Sequence, residues 1–321
     1  MVMPRTLLTL ALAGWLTAGQ PALAQEGTIK IMLGFPAGAS SDTLTRLLAD
    51  RMRESLGQPV IVENKVGAGG RIAAEALKGA APDGRTLLMS PVAAISIFPH
   101  SFGNLRYDPF TDFAPVAHLS NFQIGLGVST QLPVTSLAEY VALVKKDSKA
   151  GFYASAAAGS LPHFFGVMFA RAAGITMTHV PYKGTANAMT ALAAGEIAAA
   201  TTLVADLKTV EKSGKARVLA ASGSKRPAAF PDVPTFKELG YDIEGYGWYG
   251  LWAPAATPAP TIARLAKAAA TAIHSAGLQQ RLEIMGLEPT GYGPEELGRI
   301  QKADYEKWGP IIKASGFKPG Q

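Results

Sequence analysis

Cysteine is absent from all 321 residues, and that one absence removes a disulfide framework, a thiolate metal site, a cysteine nucleophile and a lipidated N-terminal cysteine. Charge of one sign is in short supply as well: 30 Lys and Arg against 24 Asp and Glu give a formal net charge of +6, without a run of five or more basic residues. So mild a bias excludes nucleic acid as the expected partner and leaves weak attraction of small anions. Local catalytic signatures are missing too. The one Gly-Lys, Gly214-Lys215, is followed by Ala216, so there is no P-loop, and G-x-S-x-G occurs nowhere. Gly67-Ala68-Gly69-Gly70 follows a strand-like run, but a dinucleotide fingerprint would need a glycine where Ile72 stands, and the acid some twenty residues on, Asp83, sits in a Pro-Asp-Gly turn. His100, His118, His163, His179 and His274 are scattered without an i,i+4 pair or an HExxH. No metal and no cofactor is expected.

The N-terminus reads as an expected export signal. Arg5 supplies the positive region, Leu7 to Gly19 an uncharged apolar stretch, and Ala22-Leu23-Ala24 a small-x-small cleavage site before Gln25. Thirteen apolar residues fall short of the ~20 that span a bilayer, which favours a cleaved signal peptide over residues 1–24 rather than an anchor. No later segment is long and apolar enough to span. Cleavage leaves 297 of the 321 residues and removes only Arg5, so the net charge falls from +6 to +5. The expected location is the periplasm. That length, with 48% hydrophobic residues over the full chain, suits two lobes held by packing alone.

Alternating β and α patterns run along the chain. Thr28 to Leu33 reads as a buried strand. Residues 41 to 56 place Leu44, Leu47, Leu48, Met52 and Leu56 on a helical stripe, with Ser40 or Ser41 placed to cap it and Gly57 to end it. Strands are predicted over 59–64, 85–90, 123–129, 152–156, 177–182, 196–202 and 217–222. Helices are predicted over 71–80, 136–146, 162–173 and 186–194, with a helical tail over 260–274, to Met285, and over 294–315. The pattern predicts an α/β protein with two mostly parallel sheets, helices on both faces and a cleft between.

In open α/β sheets, ligands sit at the carboxyl ends of strands, beside helix N-termini. Two loops there stand out, Phe35 to Asp42 and Ser155 to His163; both are rich in Ala, Gly and Ser, lead into helices, and contain neither Arg nor Lys. An anion held by them would meet backbone N–H groups, hydroxyls and ordered water, a mode that suits a carboxylate.

Several motifs resemble one family across nearly the whole mature chain. They include Phe35-Pro36-Ala37-Gly38 with Asp42 and Arg46, Val62-Glu63-Asn64 with Gly67-Ala68-Gly69-Gly70, and Ala81-Pro82-Asp83-Gly84 with Thr86-Leu87-Leu88. Tyr107-Asp108-Pro109, Asp112 to Val116, His179 to Gly184, Pro231 to Thr235, and Trp248 with Ala253-Pro254 follow in order. The chain thus resembles the Bug family, the substrate-binding proteins of tripartite tricarboxylate transporters. The resemblance implies a bilobed periplasmic-binding-protein fold of type II-like form, with lobe 1 over 25–122 and 253–321, lobe 2 over 123–252, and two crossings near 122–128 and 247–253. It implies a monomer that is not an enzyme, closing on a small organic carboxylate and delivering it to inner-membrane transporter subunits, or, as an alternative, to a sensor protein. A hydrolase is the other alternative, with Ser160 and His163 as its one local candidate pair.

Carried over by resemblance, the first grip is Phe35, Pro36, Ala37, Gly38, Ala39, Ser40, Ser41 and Asp42, and the second is Ser155, Ala156, Ala157, Ala158, Gly159, Ser160 and His163. Lys183, Gly184, Ser90 and Thr202 join them as strand-end or loop residues. The chain departs from the family pattern at Ala39, where a second glycine is usual, at Ala157-Ala158, where Gly-Asn is frequent, and at Ala198, where an acid is common. A tighter, drier pocket follows, for a ligand less polar than an amino acid, with Phe35, Phe98, Phe122 and Trp248 as candidate apolar walls.

Overall fold

A computed structural model of the chain describes residues 27–318; the leader expected over 1–24 lies outside the described residues. The first unit is β1 (Ile29–Leu33), α1 (Ser40–Leu56), β2 (Val60–Asn64), α2 (Arg71–Lys78) and β3 (Thr86–Pro91). A π-helical turn at Ala93–Ile97 and α3 (Phe98–Ser101) follow. The long β4 (Phe113–Ser129) comes next. After it run α4 (Leu137–Lys146), β5 (Phe152–Ser155), α5 (Leu161–Ala173), β6 (Thr178–Pro181), α6 (Thr185–Ala194), β7 (Ala199–Leu203), α7 (Val204–Lys212) and β8 (Ala216–Ala221). The chain ends with β9 (Tyr246–Pro254), α8 (Ala259–Ile273), α9 (Ala276–Ile284), β10 (Leu287–Tyr292) and α10 (Pro294–Ser315). No helix among the described residues is long and apolar enough to cross a membrane.

The strands form one curled path in the order β2-β1-β3-β9-β4-β7-β5-β6, with β10 and β8 also on β4. Parallel pairing holds at β1–β2, β1–β3, β5–β6 and β5–β7, as the alternating pattern predicts. β4 and β9 pair antiparallel with every neighbour they have, so the sheet is mixed rather than two parallel ones. β4 organises the whole. Its residues from Phe113 to Gln123 pair with β9, and from Ile124 to Val128 with β7, so one strand passes from the first group of strands to the second.

The sequence pattern showed only the second part of β4, from 123, because Pro115, His118, Ser120 and Asn121 interrupt the apolar run. Register shifts at Pro115/Ala117 and His118/Ser120 accommodate those interruptions. β10 carries Pro289 and Gly291 and has no strand signature of its own; its pairing with β4 makes it one. α7 begins directly at the end of β7, without the Gly or Pro that would announce a helix start.

Helix α1 forms as its periodicity requires, burying Leu44, Leu48 and Met52 at 0% exposure and stopping at Gly57 with φ 68°. Its cap differs from expectation. Ala39 occupies the cap position and, as alanine, makes no side-chain cap bond, while Ser40 is the first helical residue and its hydroxyl bonds Asp206 instead. A large apolar core runs through β1, β3, β4 and β9, and a smaller one lies among α6, α7 and β8. Burying side chains of this kind stabilises the fold by roughly 1.5–3 kcal/mol each, the only large source open to a chain without cross-links.

Candidate functional site

The carboxyl ends of β1, β3, β5, β6 and β7 each lead into a helical segment, and the first residues of those segments meet around a small inner cavity. Ser41 comes from α1, Ala93 from the turn after β3 with Val92 capping it, Leu161 from α5 with Ser160 capping it, Thr185 from α6, and Leu203 is the last residue of β7 and caps α7. Tyr249 of β9 and Phe122 of β4 complete it, and Phe35 and Ala156 form part of its wall. The volume is about 50 Å³, enough for a few water-sized groups. None of the described charged side chains lines it. The polar side chains are hydroxyls: Ser41, Ser160, Thr185 and Tyr249. Burial, together with the Asp206 carboxylate, pushes the Tyr249 phenol well above its ordinary pKa against a bond from Ser41, so it stays neutral. Helix starts and hydroxyls around an acid-free cavity favour an anion.

A wider outer cleft of about 330 Å³ adjoins this cavity, sharing Phe35 and Ala156. Its walls are the loop after β1 (Gly34 to Pro36), the Val66 to Gly69 turn with Arg71, the turn Ala156 to Ala158, and the loop Pro181 to Gly184. The two sides approach closely. A Cβ on Gly184 would lie 2.5 Å from Pro36 Cδ, and one on Gly69 would lie 3.0 Å from Ala157 Cβ.

The predicted site residues divide among several places. Phe35, Pro36, Ala156, Ala157, Ala158, Lys183 and Gly184 line the outer cleft, and Phe35, Ser41, Ala156 and Ser160 line the inner cavity. Gly38, Ala39 and Ser40 turn toward a separate surface cavity shared with Asp206. Ala37 is exposed and lines neither. Ser40 N–H and Oγ donate to Asp206 Oδ1 at 3.1 and 2.6 Å, so the first turn of α1 already holds a carboxylate, one supplied by α7. Burial raises the Asp206 pKa, and the Ser40 bonds oppose the rise.

Asp42 is a tether. Its carboxylate accepts from Arg46 Nε and Nη2 at 3.0 and 2.9 Å, from Asn64 Nδ2 at 2.9 Å and from Gly38 N–H at 3.3 Å. Burial alone would raise its pKa; the bonds from Arg46, Asn64 and Gly38 outweigh burial and hold it below the ordinary value.

In the second turn, Ser155 Oγ and Ser160 Oγ both donate to Ala157 O, at 3.1 and 2.7 Å. His163 Nδ1 accepts from Gly159 N–H at 3.0 Å, which fixes the proton on Nε2. Its ring stacks on His179 at 3.9 Å, and His179 Nε2 lies 2.7 Å from Ser155 Oγ. Burial lowers the His163 pKa to about 4, and burial with the facing His163 lowers that of His179 to about 3. His163 and Ser155 therefore hold the turn and line neither cavity. Ser90 Oγ donates to Pro91 O, and Thr202 Oγ1 lies 3.4 Å from Thr185 Oγ1, both buried and neither on the cavity wall.

Of the candidate apolar walls, Phe35 and Phe122 line the inner cavity, whereas Phe98 and Trp248 belong to the core at 0% and 2% exposure. Ala39 has φ −100°, so alanine costs nothing there; the positive φ falls on Gly38, at 100°. Arg71, Tyr249, Thr185 and Asp206 carry no local signal in the sequence. Arg71 has the nearest thing to one, as the first residue after the Gly67–Gly70 turn, whose glycines fit no nucleotide motif.

The model for the tripartite tricarboxylate transporter family receptor matches residues 44–317. The chain belongs to this family. Among its relatives is the Bordetella pertussis protein BugT, 30% identical over 296 residues, 90% of this chain and 90% of BugT. Among solved structures, MatC of Rhodopseudomonas palustris with bound malate superimposes with a TM-score of 0.84 at 30% identity, covering 89% of this chain and 99% of that one. A second R. palustris protein, solved with adipate, gives a TM-score of 0.88 at 29% identity, covering 91% and 98%. The Bug resemblance and the periplasmic-binding-protein fold thus hold.

Proposed function

We propose that the protein is exported to the periplasm, captures a small organic carboxylate between two lobes and delivers it to the membrane subunits of a tripartite tricarboxylate-type transporter. One observation carries this reading: five helical segments begin around an inner cavity that contains hydroxyls and apolar groups and no acid. Oriented N–H groups offset the desolvation of one carboxylate there without a fixed counter-charge. The lobes are residues 25–122 with 253–321, and 123–252; β4 and β9 carry the chain between them. In the open form the anion meets one lobe's donors, and closure adds the other's and excludes water, drawing on the ligand's preference for the closed state. The close approach of Pro36 to Gly184 and the Ser40–Asp206 bonds support closure of this kind.

Binding without conversion is supported by the second turn, where Ser160 Oγ donates to Ala157 O and His163 Nδ1 takes Gly159 N–H. Neither group serves the other as nucleophile and base would.

Isothermal titration of the mature chain against a panel of mono- and dicarboxylates and amino acids tests the reading. The expected outcome is saturable binding of a carboxylate, weakened about tenfold by Tyr249→Phe through loss of a hydroxyl donor on the cavity wall, with the ligand recovered unchanged. Binding confined to uncharged solutes, or turnover of the ligand, overturns it. Loss of acid uptake on deletion of neighbouring permease genes tests the transporter as partner.

A further inference from the structure

The outer cleft holds two cations, Arg71 and Lys183, and none of the described acids lines it. They differ in how they are held. Lys183 is exposed, and none of the described side chains anchors it. Arg71 is half-buried, the first residue of α2; its Nε donates to Ala68 O at 2.9 Å and its guanidinium lies 4.0 Å over the Phe102 ring. Ala68 is the one non-glycine residue with positive φ among the described residues, at 48°. The turn thus accepts a costly backbone conformation while presenting its carbonyl to Arg71.

These contacts use Nε and one face of the guanidinium. Among the described residues the two Nη groups donate to no protein acceptor, and Arg71 forms no ion pair. A guanidinium braced on one side and unpaired on the other, in a cleft free of acid, is pre-organised for a carboxylate brought in from solution. The outer cleft that Arg71 lines adjoins the inner cavity, the two sharing Phe35 and Ala156 as wall.

We infer that Arg71 is a specificity-determining residue that selects acids carrying a second anionic group, an elongated dicarboxylate over the monocarboxylate of equal length. The inference rests on the proposed carboxylate-binding function and deepens it. The chemistry divides along the cleft. The inner end takes a carboxylate with helix starts and hydroxyls, the Phe35 wall takes the apolar middle, and the Arg71 fork takes the distal carboxylate.

Adipate and hexanoate, equal in carbon number and differing by one carboxylate, are the probes. Titration calorimetry on the mature chain is expected to show adipate binding at least about tenfold more tightly than hexanoate, as a charge-assisted pair supplies. In Arg71→Gln the ratio falls toward one through loss of adipate affinity alone, and in Arg71→Lys, which keeps the charge without the fork, it falls part-way. Lys145→Gln, an exposed charge of α4 that lines neither cavity, leaves the ratio within about twofold. Circular dichroism and thermal unfolding confirm that each variant is folded. Equal affinity for the two acids in the natural chain, or an unchanged ratio in folded Arg71→Gln, overturns the inference and leaves the carboxylate-binding reading standing. Binding of neither these acids nor any other carboxylate overturns both.

Discussion

Between Phe35 and Asp42 the backbone is held by charge: Asp42 gathers Arg46, Asn64 and Gly38 N–H, and Asp206 takes Ser40. Between Ser155 and His163 it is held by neutral groups: two serine hydroxyls on Ala157 O, Gly159 N–H on a neutral imidazole, and a second imidazole stacked behind. In sequence the two turns are alike, small residues leading into a helix. Each turn also draws on residues outside it, Arg46, Asn64 and Asp206 for the first and His179 for the second, and these supports set how each responds to pH, to strain and to loss of a partner.

The largest difference between the turns is in acid. His163 is depressed to about 4 and His179 to about 3 by burial, so between roughly pH 6.5 and pH 4 the unfolded chain binds protons that the folded second turn refuses. Stability is therefore full above about pH 6.5 and is lost as the pH falls through that window, by on the order of a few kcal/mol for the two imidazoles together. Urea unfolding at pH 7 and pH 4.5 is expected to show a smaller pH-dependent loss in the His163→Asn, His179→Asn double variant. His118, depressed to about 4 by its own burial, leaves a remainder in both. Equal losses in the two proteins break the comparison.

Next in size is the tether of the first turn. Asp42→Ala leaves Asn64 Nδ2 and Gly38 N–H without that acceptor and Arg46 without its ion pair. It is expected to lower the unfolding free energy by roughly 2–3 kcal/mol, the scale of hydrogen bonds to a charged group. Because the Asp42 pKa is held low, this difference between natural and variant chains persists at pH 5, where the second turn is already weakened. A difference that vanishes by pH 5 shows that the Arg46 pair does not carry it.

The smallest effects separate strain from crowding. Gly38 and Gly159 both have positive φ, 100° and 70°, but a Cβ at 38 meets nothing within 4 Å, whereas one at 159 lies 3.2 Å from Phe102 and Phe317. Gly38→Ala is expected to cost about 1 kcal/mol from backbone strain, and Gly159→Ala about 2 kcal/mol because ring contacts add to it. Thermal unfolding of the two variants side by side checks the order, and a Gly38→Ala loss equal to that of Gly159→Ala removes the role given to the rings.

Much of the element pattern is legible in the order of the amino acids alone, because α1, α5, α6 and the short parallel strands carry their periodicity and stop signals locally. β9 and β10 are not legible that way, since Gly247, Gly250, Pro289 and Gly291 are poor strand residues whose conformation comes from pairing with β3 and β4. The candidate site shows the same division. Phe35, Pro36, Ser41, Ala156 and Ser160 stand out as strand-end residues beside helix starts, and they reach the two cavities. Asp42, Ser155 and His163 lie on the same loops, but they bond other protein groups and line neither cavity, a matter of partners that composition does not encode.

By itself the sequence determined the family, the α/β alternation and the two small-residue turns, because turn chemistry, apolar periodicity and motif order are properties of neighbouring residues. Only the tertiary structure decided that Asp206 fills the first turn of α1, that Arg71 and Lys183 meet in one cleft, and that Tyr249 joins hydroxyls from three helices around one cavity. Those partners are far apart along the chain, and long-range strand pairing and close packing, rather than local propensity, bring them within bonding distance.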